Sequence, residues 1–138
     1  MGAPEEADHF GQQVSVVSTV PGALATAQNT RLAVGVPGED IGTAADAGSV
    51  NAFSLLGNPG DSDVPVEPGK VGLPGTSGAN QRLGTSIFAT ATHLYVGMPY
   101  GPAPYGAAHT VPWANIVSAR PRDRRPAGND SVSAGAPC

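Results

Sequence analysis

The stretches LAVGVPGED, residues 32–40, and LYVGMPYGP, residues 94–102, carry the same pattern. In each stretch a short apolar run ends at a Gly-x-Pro sequence. Proline donates no ladder hydrogen bond and its φ is fixed, so a β-strand is expected to stop there. The two stretches therefore predict two buried strands, each ended by a tight turn, and they indicate an internal repeat.

The similarity extends to both sides of these stretches. FGQQVSV at residues 10–16 aligns with LGTSIFA at residues 83–89, at an offset of 73. The two apolar runs align at an offset of 62. GSVNAF at residues 48–53 aligns with AHTVPW at residues 108–113, at an offset of 60. The change of offset places an insertion between the first two strands of the first repeat.

Two units and a tail account for the chain. The first unit covers residues 2–74, and the second, shorter unit covers residues 75–118. From about residue 119 the pattern stops. Residues 119–138 are rich in Arg, Pro, Ala and Gly, which predicts a disordered tail.

The composition favours an all-β fold. The 138 residues include 19 glycines and 14 prolines, about a quarter of the chain. Inside a helix glycine costs about 1 kcal/mol and proline about 3 kcal/mol. Short strands separated by turns suit such a composition better than helices do.

Each unit contains three predicted strands. The first, GQQVSVVST or GTSIFATAT, alternates polar and apolar residues as a half-buried strand does. The second is RLAVG or HLYVG, and the third is GSVNAFSLL or HTVPWANIV. Between Pro-Gly breaks after the first unit lie DVPVE and KVGL, one of which is expected to add a fourth strand at the edge, where proline is tolerated. Four antiparallel strands per unit is the arrangement of a propeller blade.

These residues resemble the FG-GAP repeat, the unit of the integrin alpha-chain β-propeller and of many secreted bacterial propeller proteins. The resemblance spans about residues 2–117 and is weaker in the second unit. It implies a partial β-propeller of about two four-stranded antiparallel blades. The positions that carry it are structural: Phe10, Gly11, Gly35, Pro37, Gly48, Leu83, Gly84, Gly97 and Pro99.

Packing gives the motif a physical reason. Glycine lets one backbone approach another closely where neighbouring units stack. Phe10 and Leu83 are expected to fill the space between units. None of these roles is chemical, so the motif residues predict a structural repeat and no catalytic residue.

The calcium loop that many FG-GAP repeats carry has no counterpart here. The connections VSTVPGALATAQNTR and ATATH contain no acidic residue, whereas calcium takes six to eight oxygen ligands, several of them carboxylate. Asp61, Asp63 and Glu67 lie in another loop, without a central glycine or a third ligand in register. We therefore expect no metal and no cofactor.

Catalytic patterns are also missing from the sequence. The three histidines show no zinc-type spacing, and the single cysteine, Cys138, is remote from both units. No Gly-x-Ser-x-Gly elbow and no phosphate-binding loop is present. The chain is predicted not to be an enzyme. The one candidate contact surface is a loop that carries Tyr100 and Tyr105, because aromatic side chains contribute much of the energy of interfaces.

Charge and hydropathy exclude two kinds of partner. Residues 1–118 carry three basic and nine acidic side chains, which argues against nucleic-acid binding. No stretch approaches the ~18 apolar residues of a membrane span. No signal peptide is visible, because MGAPEEADHF is acidic and polar. An extracellular or cell-surface location is implied by the family resemblance alone.

Two blades cannot close a propeller, which typically takes four to eight. Three explanations stay open: a fragment of a larger propeller, self-association, or a degenerate remnant. The expected partners are accordingly further blades or copies of the chain, together with an unknown protein or glycan ligand. The expected function is a non-enzymatic binding or adhesion scaffold. The alternative is the non-catalytic propeller portion of a secreted hydrolase whose catalytic domain is encoded elsewhere.

Overall fold

The structure is a computed structural model that describes residues 5–58, 60–101 and 106–118. It is all-β, with two antiparallel sheets and one short helix. The first sheet has the order β1-β2-β3-β4, formed by Gln13–Ser18, Thr30–Val36, Ser49–Phe53 and Val64–Val66. The second has the order β5-β6-β7, formed by Ser86–Ala89, His93–Met98 and Ala107–Pro112, and is followed by α1, Trp113–Ser118. The predicted disordered tail, residues 119–138, lies outside the described residues.

The predicted fourth strand of the first unit is present at the sheet edge. It is β4, from the DVPVE segment, and it pairs with β3. Pro65 lies within it, as an edge strand allows. The second sheet has three strands in the part of the chain that the structure describes, against the four expected. Residues 67–85 connect the sheets, and the division after residue 74 stays a prediction.

The sheets pack face to face, and the core lies between them. Each sheet therefore has an inner face, turned to the other sheet, and an outer face. The inner face of the first sheet contributes Ala33, Val50, Ala52, Val64 and Val66, and that of the second contributes Leu94, Val96, Met98 and Val111. Fully burying such a side chain is worth about 1.5–3 kcal/mol, so this contact is the main source of stability among the described residues.

The first two strands pair in the same register in both sheets. Val14 lies opposite Val34, and Ile87 lies opposite Val96. These pairs are related by the offsets of 73 and 62 that the sequence shows. Side chains alternate between the two faces along each strand. Residues on the outer face of the first sheet therefore correspond in the repeat to residues on the inner face of the second sheet.

The third strand is displaced from its predicted alignment. Val34 lies opposite Asn51, and Val96 lies opposite His109, which gives an offset of 58. The predicted offset of 60 is therefore wrong by two residues. Side chains alternate with a period of two along a strand, so the error leaves every side chain on the expected face.

The predicted third strand of the second unit, HTVPWANIV, is correct only in its first half. The ladder ends at Pro112, which has no N–H to continue it, and residues 113–118 turn into α1. The helix buries both Trp113 and Ile116 against the core, since residues three apart share one helix face. A strand would have put them on opposite faces.

The side chain of Trp113 fixes the turn between β5 and β6 through one hydrogen bond. Its Nε1 donates to the carbonyl oxygen of Thr90 at 2.9 Å. We expect Trp113→Phe to lower the free energy of unfolding by about 1–3 kcal/mol, since the carbonyl then loses its partner in a partly buried place. Urea unfolding of this variant beside Tyr100→Phe, whose side chain is exposed, measures the difference. Equal midpoints would contradict the assigned role.

Candidate functional site

The FG-type positions of the two units lie in turns of the same shape. We call residues 9–12 the Phe10 turn and residues 82–85 the Leu83 turn. His9 and Arg82 have φ values of 57° and 55°, and Gly11 and Gly84 have 86° and 92°. A positive φ is disfavoured for residues with a side chain, so two such residues at the same offset of 73 indicate one conserved local geometry within the chain.

Hydrogen bonds repeat at the same positions. The amide of Gly84 donates to the carbonyl of Gly97 at 3.0 Å, and the amide of Gly11 donates to the carbonyl of Gly35 at 3.1 Å. Each turn also closes on itself, with donor-to-acceptor distances of 3.2 Å in the Leu83 turn and 3.1 Å in the Phe10 turn. Each FG-type glycine is thus tied to the Gly-x-Pro glycine of its own unit.

The two turns differ in what covers them. Leu83 is completely buried, whereas 53% of Phe10 is exposed. The Phe10 ring contacts Phe53 edge to face, with centroids 6.2 Å apart. Leu83 therefore lies in the core between the two sheets. Among the described residues no second sheet covers Phe10.

The Leu83 turn lies in a groove of the first sheet that glycines keep open. We call this the first groove; it is formed by Gly35, Gly48, Ser49 and Val50. A Cβ on Gly48 would overlap the backbone N and O of Leu83, and a Cβ on Gly35 would overlap the carbonyl oxygen of Gly84. The backbones are close enough for a bridge between Gly48 and Leu83, whose amide donates to the carbonyl of Ala47 at 2.9 Å.

The second sheet has an open cleft at the corresponding place. This second groove has a volume of about 350 Å³. It is lined by Ser86, Gly97, Met98, Pro99, Gly106, Ala107 and Ala108. At the offsets of 73, 62 and 58 these residues are the counterparts of Gln13, Gly35, Val36, Pro37, Gly48, Ser49 and Val50. Gly48 and Gly106 also share a positive φ, of 85° and 80°.

The two Gly-x-Pro prolines differ in exposure. Pro37 is fully buried, whereas Pro99 is exposed at the second groove. The structure thus brings the predicted motif residues of both units to one end of the sheets. Gly106 was missed by the sequence comparison, which paired Gly48 with Ala108. A comparison that allowed an offset of 58 would have found it.

The predicted contact loop is described in part. Tyr100 directly follows the Gly-x-Pro turn of the second unit, and 69% of it is exposed. Tyr105 lies outside the described residues. Tyr100 has the exposure that a contact residue needs, and its counterpart region in the first unit is the connection between β2 and β3.

Another cleft, separate from the second groove, lies at the opposite end of the sheets and was not predicted. It has a volume of about 830 Å³, and Arg31, His93 and Trp113 are among its lining residues. Nη1 of Arg31 donates to the carbonyl of Gln28 at 2.9 Å, while its Nε is buried without a partner among the described residues. Burial lowers the pKa of Arg31 below its usual value. The only sequence signal was a basic residue inside the strand TRLAVGV.

No group of three His, Cys, Asp or Glu side chains is assembled in residues 5–58, 60–101 and 106–118. Of the acidic residues considered for calcium, Glu67 instead pairs with Lys70 at 3.1 Å and accepts a hydrogen bond from Ser49 at 3.2 Å. Within the same ranges no helix is long and apolar enough to cross a membrane.

Comparison with known proteins gives no match, neither to a family model nor to a curated protein.

Proposed function

We propose that this chain is a non-enzymatic FG-GAP-like repeat scaffold, a partial β-propeller that binds a protein or glycan ligand outside the cell through loops at one end of its sheets. The observation that carries the proposal is the repeated turn. Backbone angles, hydrogen bonds and glycine positions recur in both units at fixed offsets. Such a recurrence is typical of a chain built from units that stack on one another.

The sheet order adds support. In each sheet the strands follow one another in sequence, and the sheets pack face to face, as the blades of a propeller do. The buried motif residues pack against backbone and apolar neighbours. The chemistry available at this end of the sheets is therefore that of a contact surface, with Tyr100 as the most exposed aromatic side chain among the described residues.

Binding by the Tyr100 loop is testable with defined probes. We expect the full chain to bind at least one member of a glycan array or of a panel of purified cell-surface and matrix proteins. Tyr100→Ala should then weaken binding about tenfold or more, which corresponds to a loss of about 1.4 kcal/mol or more. Titration by surface plasmon resonance measures the change.

Leu24→Ala is the matched control, because Leu24 is exposed in the connection between β1 and β2 at the opposite end of the first sheet. It should bind like the unaltered chain. Tyr100→Phe keeps the ring and removes the hydroxyl, so it distinguishes the contributions of the two to binding. The proposal fails if no probe binds, or if Tyr100→Ala and Leu24→Ala bind equally well.

A further inference from the structure

The second groove corresponds in position to the first, and none of the described residues fills it as the Leu83 turn fills the first. Four of its lining residues, Gly97, Gly106, Ala107 and Ala108, are the counterparts of the four that form the first groove, so the glycines that admit the Leu83 turn, Gly35 and Gly48, recur as Gly97 and Gly106. In the first groove the occupant is a Leu-Gly turn with a defined backbone conformation. A Cβ on Gly97 would overlap the hydroxyl of Ser86, and one on Gly106 the carbonyl oxygen of Pro99, so a turn of that same conformation enters the second groove once the Ser86 side chain rotates to another staggered position.

The chain itself carries such a turn. The Phe10 turn repeats the φ values and hydrogen bonds of the Leu83 turn, and Phe10 is left half-exposed. The Phe10 turn lies at the outer face of the first sheet, and the second groove opens at the outer face of the second sheet. The described part of the chain thus holds a turn without a groove and a groove without a turn.

The outer faces around the Phe10 turn and the second groove also complement each other. Val14 and Val16 are exposed beside the Phe10 turn, and they are the counterparts of Ile87 and Ala89, which pack into the core. On the outer face of the second sheet, 64% of Phe88 is exposed. Among the described residues no charged side chain lines the second groove. The Phe10 side chain therefore suits it better than a charged ligand does.

We propose that the Phe10 turn of one molecule occupies the second groove of another, so that the chain assembles head to tail. The contact reproduces between molecules the contact that joins the two sheets within one molecule. It is heterologous, since the two surfaces differ, and such contacts generate a ring if the rotation closes and a filament if it does not. The proposal rests on the two turns and two grooves and is independent of the ligand.

The test uses two variants, each altered on one side of the contact. Phe10→Asp places a charge on the turn, and Ala108→Glu places one in the second groove, where Ala108 is exposed. Sedimentation velocity of residues 1–138 should show a mass that rises with concentration, up to about 0.1 mM. Each variant alone should stay monomeric. A mixture of the two should form a dimer and nothing larger, because one intact turn and one intact groove remain between them.

Leu24→Asp, an equally drastic change on an exposed side chain, should associate like the unaltered chain. Circular dichroism checks that each variant is folded, and Phe10→Ser replaces Phe10→Asp if the latter is not. The proposal is overturned if the unaltered chain is monomeric throughout, if the folded Phe10 variant still associates, or if the mixture stays monomeric. A chain that associates but binds no probe would retain this assembly and lose the proposed ligand function. A chain that binds a probe but never associates would retain the proposed ligand function and lose this assembly.

Discussion

Leu83→Ala is expected to lower the free energy of unfolding by about 2–5 kcal/mol, the range for truncating a fully buried leucine. Leu83 is completely buried between the two sheets, and its turn fills the first groove. Truncation leaves a cavity at the place where the sheets meet. Because the groove is bounded by backbone, the surroundings have little freedom to collapse into that cavity. Urea unfolding followed by tryptophan fluorescence measures the loss, since Trp113 lies in the same core.

Phe10→Ala is the matched control, at the position equivalent to Leu83 in the repeat. Phe10 is half-exposed and contacts Phe53 edge to face, so truncation should cost only about 1 kcal/mol. Both variants are measured in dilute solution, where self-association adds nothing to stability. Similar losses at the two positions would contradict the assignment of Leu83 as the residue that joins the sheets.

The strands of the sheets could be predicted because local pattern decides them. Alternation in GQQVSVVST, β-branched runs ending at Gly-x-Pro, and a proline-tolerant edge segment each lead to a strand in the structure. The offsets of 73 and 62 also agree with the observed registers. In these strands the apolar period and the hydrogen-bonded ladder impose the same alignment.

The end of the second unit could not be predicted in the same way. HTVPWANIV was predicted to be one strand, but it forms the end of β7 and then α1. Pro112 ends the ladder, and burying Trp113 and Ile116 together favours a helical turn over an extended chain. That outcome depends on tertiary packing, which local propensity does not contain. The offset of 60 was wrong for a related reason, since it matched residue types and ignored the ladder.

The second groove also could not be predicted from the sequence. Its lining residues come from three strands and one connection, and they are uncharged. The Gly-x-Pro motif marks Gly97 and Pro99, but nothing in the sequence shows that they and the other lining residues surround a groove. Only the occupied groove of the first sheet reveals what the second one is shaped to hold, and that comparison requires the register of both sheets. The sequence pointed to Gly35, Gly48 and Gly97 but not to Gly106, and it did not show that one groove is occupied and the other open.

Gly48→Ala is expected to be among the most damaging single changes in the chain. Gly48 has a φ of 85°, and its Cα faces the backbone of Leu83 so closely that an added Cβ would overlap the N and O of that residue. The substitution therefore adds the strain of a left-handed conformation, roughly 1–2 kcal/mol, to a displacement of the Leu83 turn from its groove. Losing part of the burial of Leu83 should add at least about 2 kcal/mol.

Gly22→Ala separates these two causes. Gly22 has the same φ, 85°, but an added Cβ would meet no atom within 4 Å. It should therefore show the conformational strain alone, and thermal unfolding of both variants gives the difference. If the close approach of the two backbones joins the sheets, Gly48→Ala must lose more stability than Gly22→Ala by at least about 2 kcal/mol. Equal losses would mean that the Leu83 turn is not held by the groove, and the head-to-tail assembly inferred from that groove would lose its structural template.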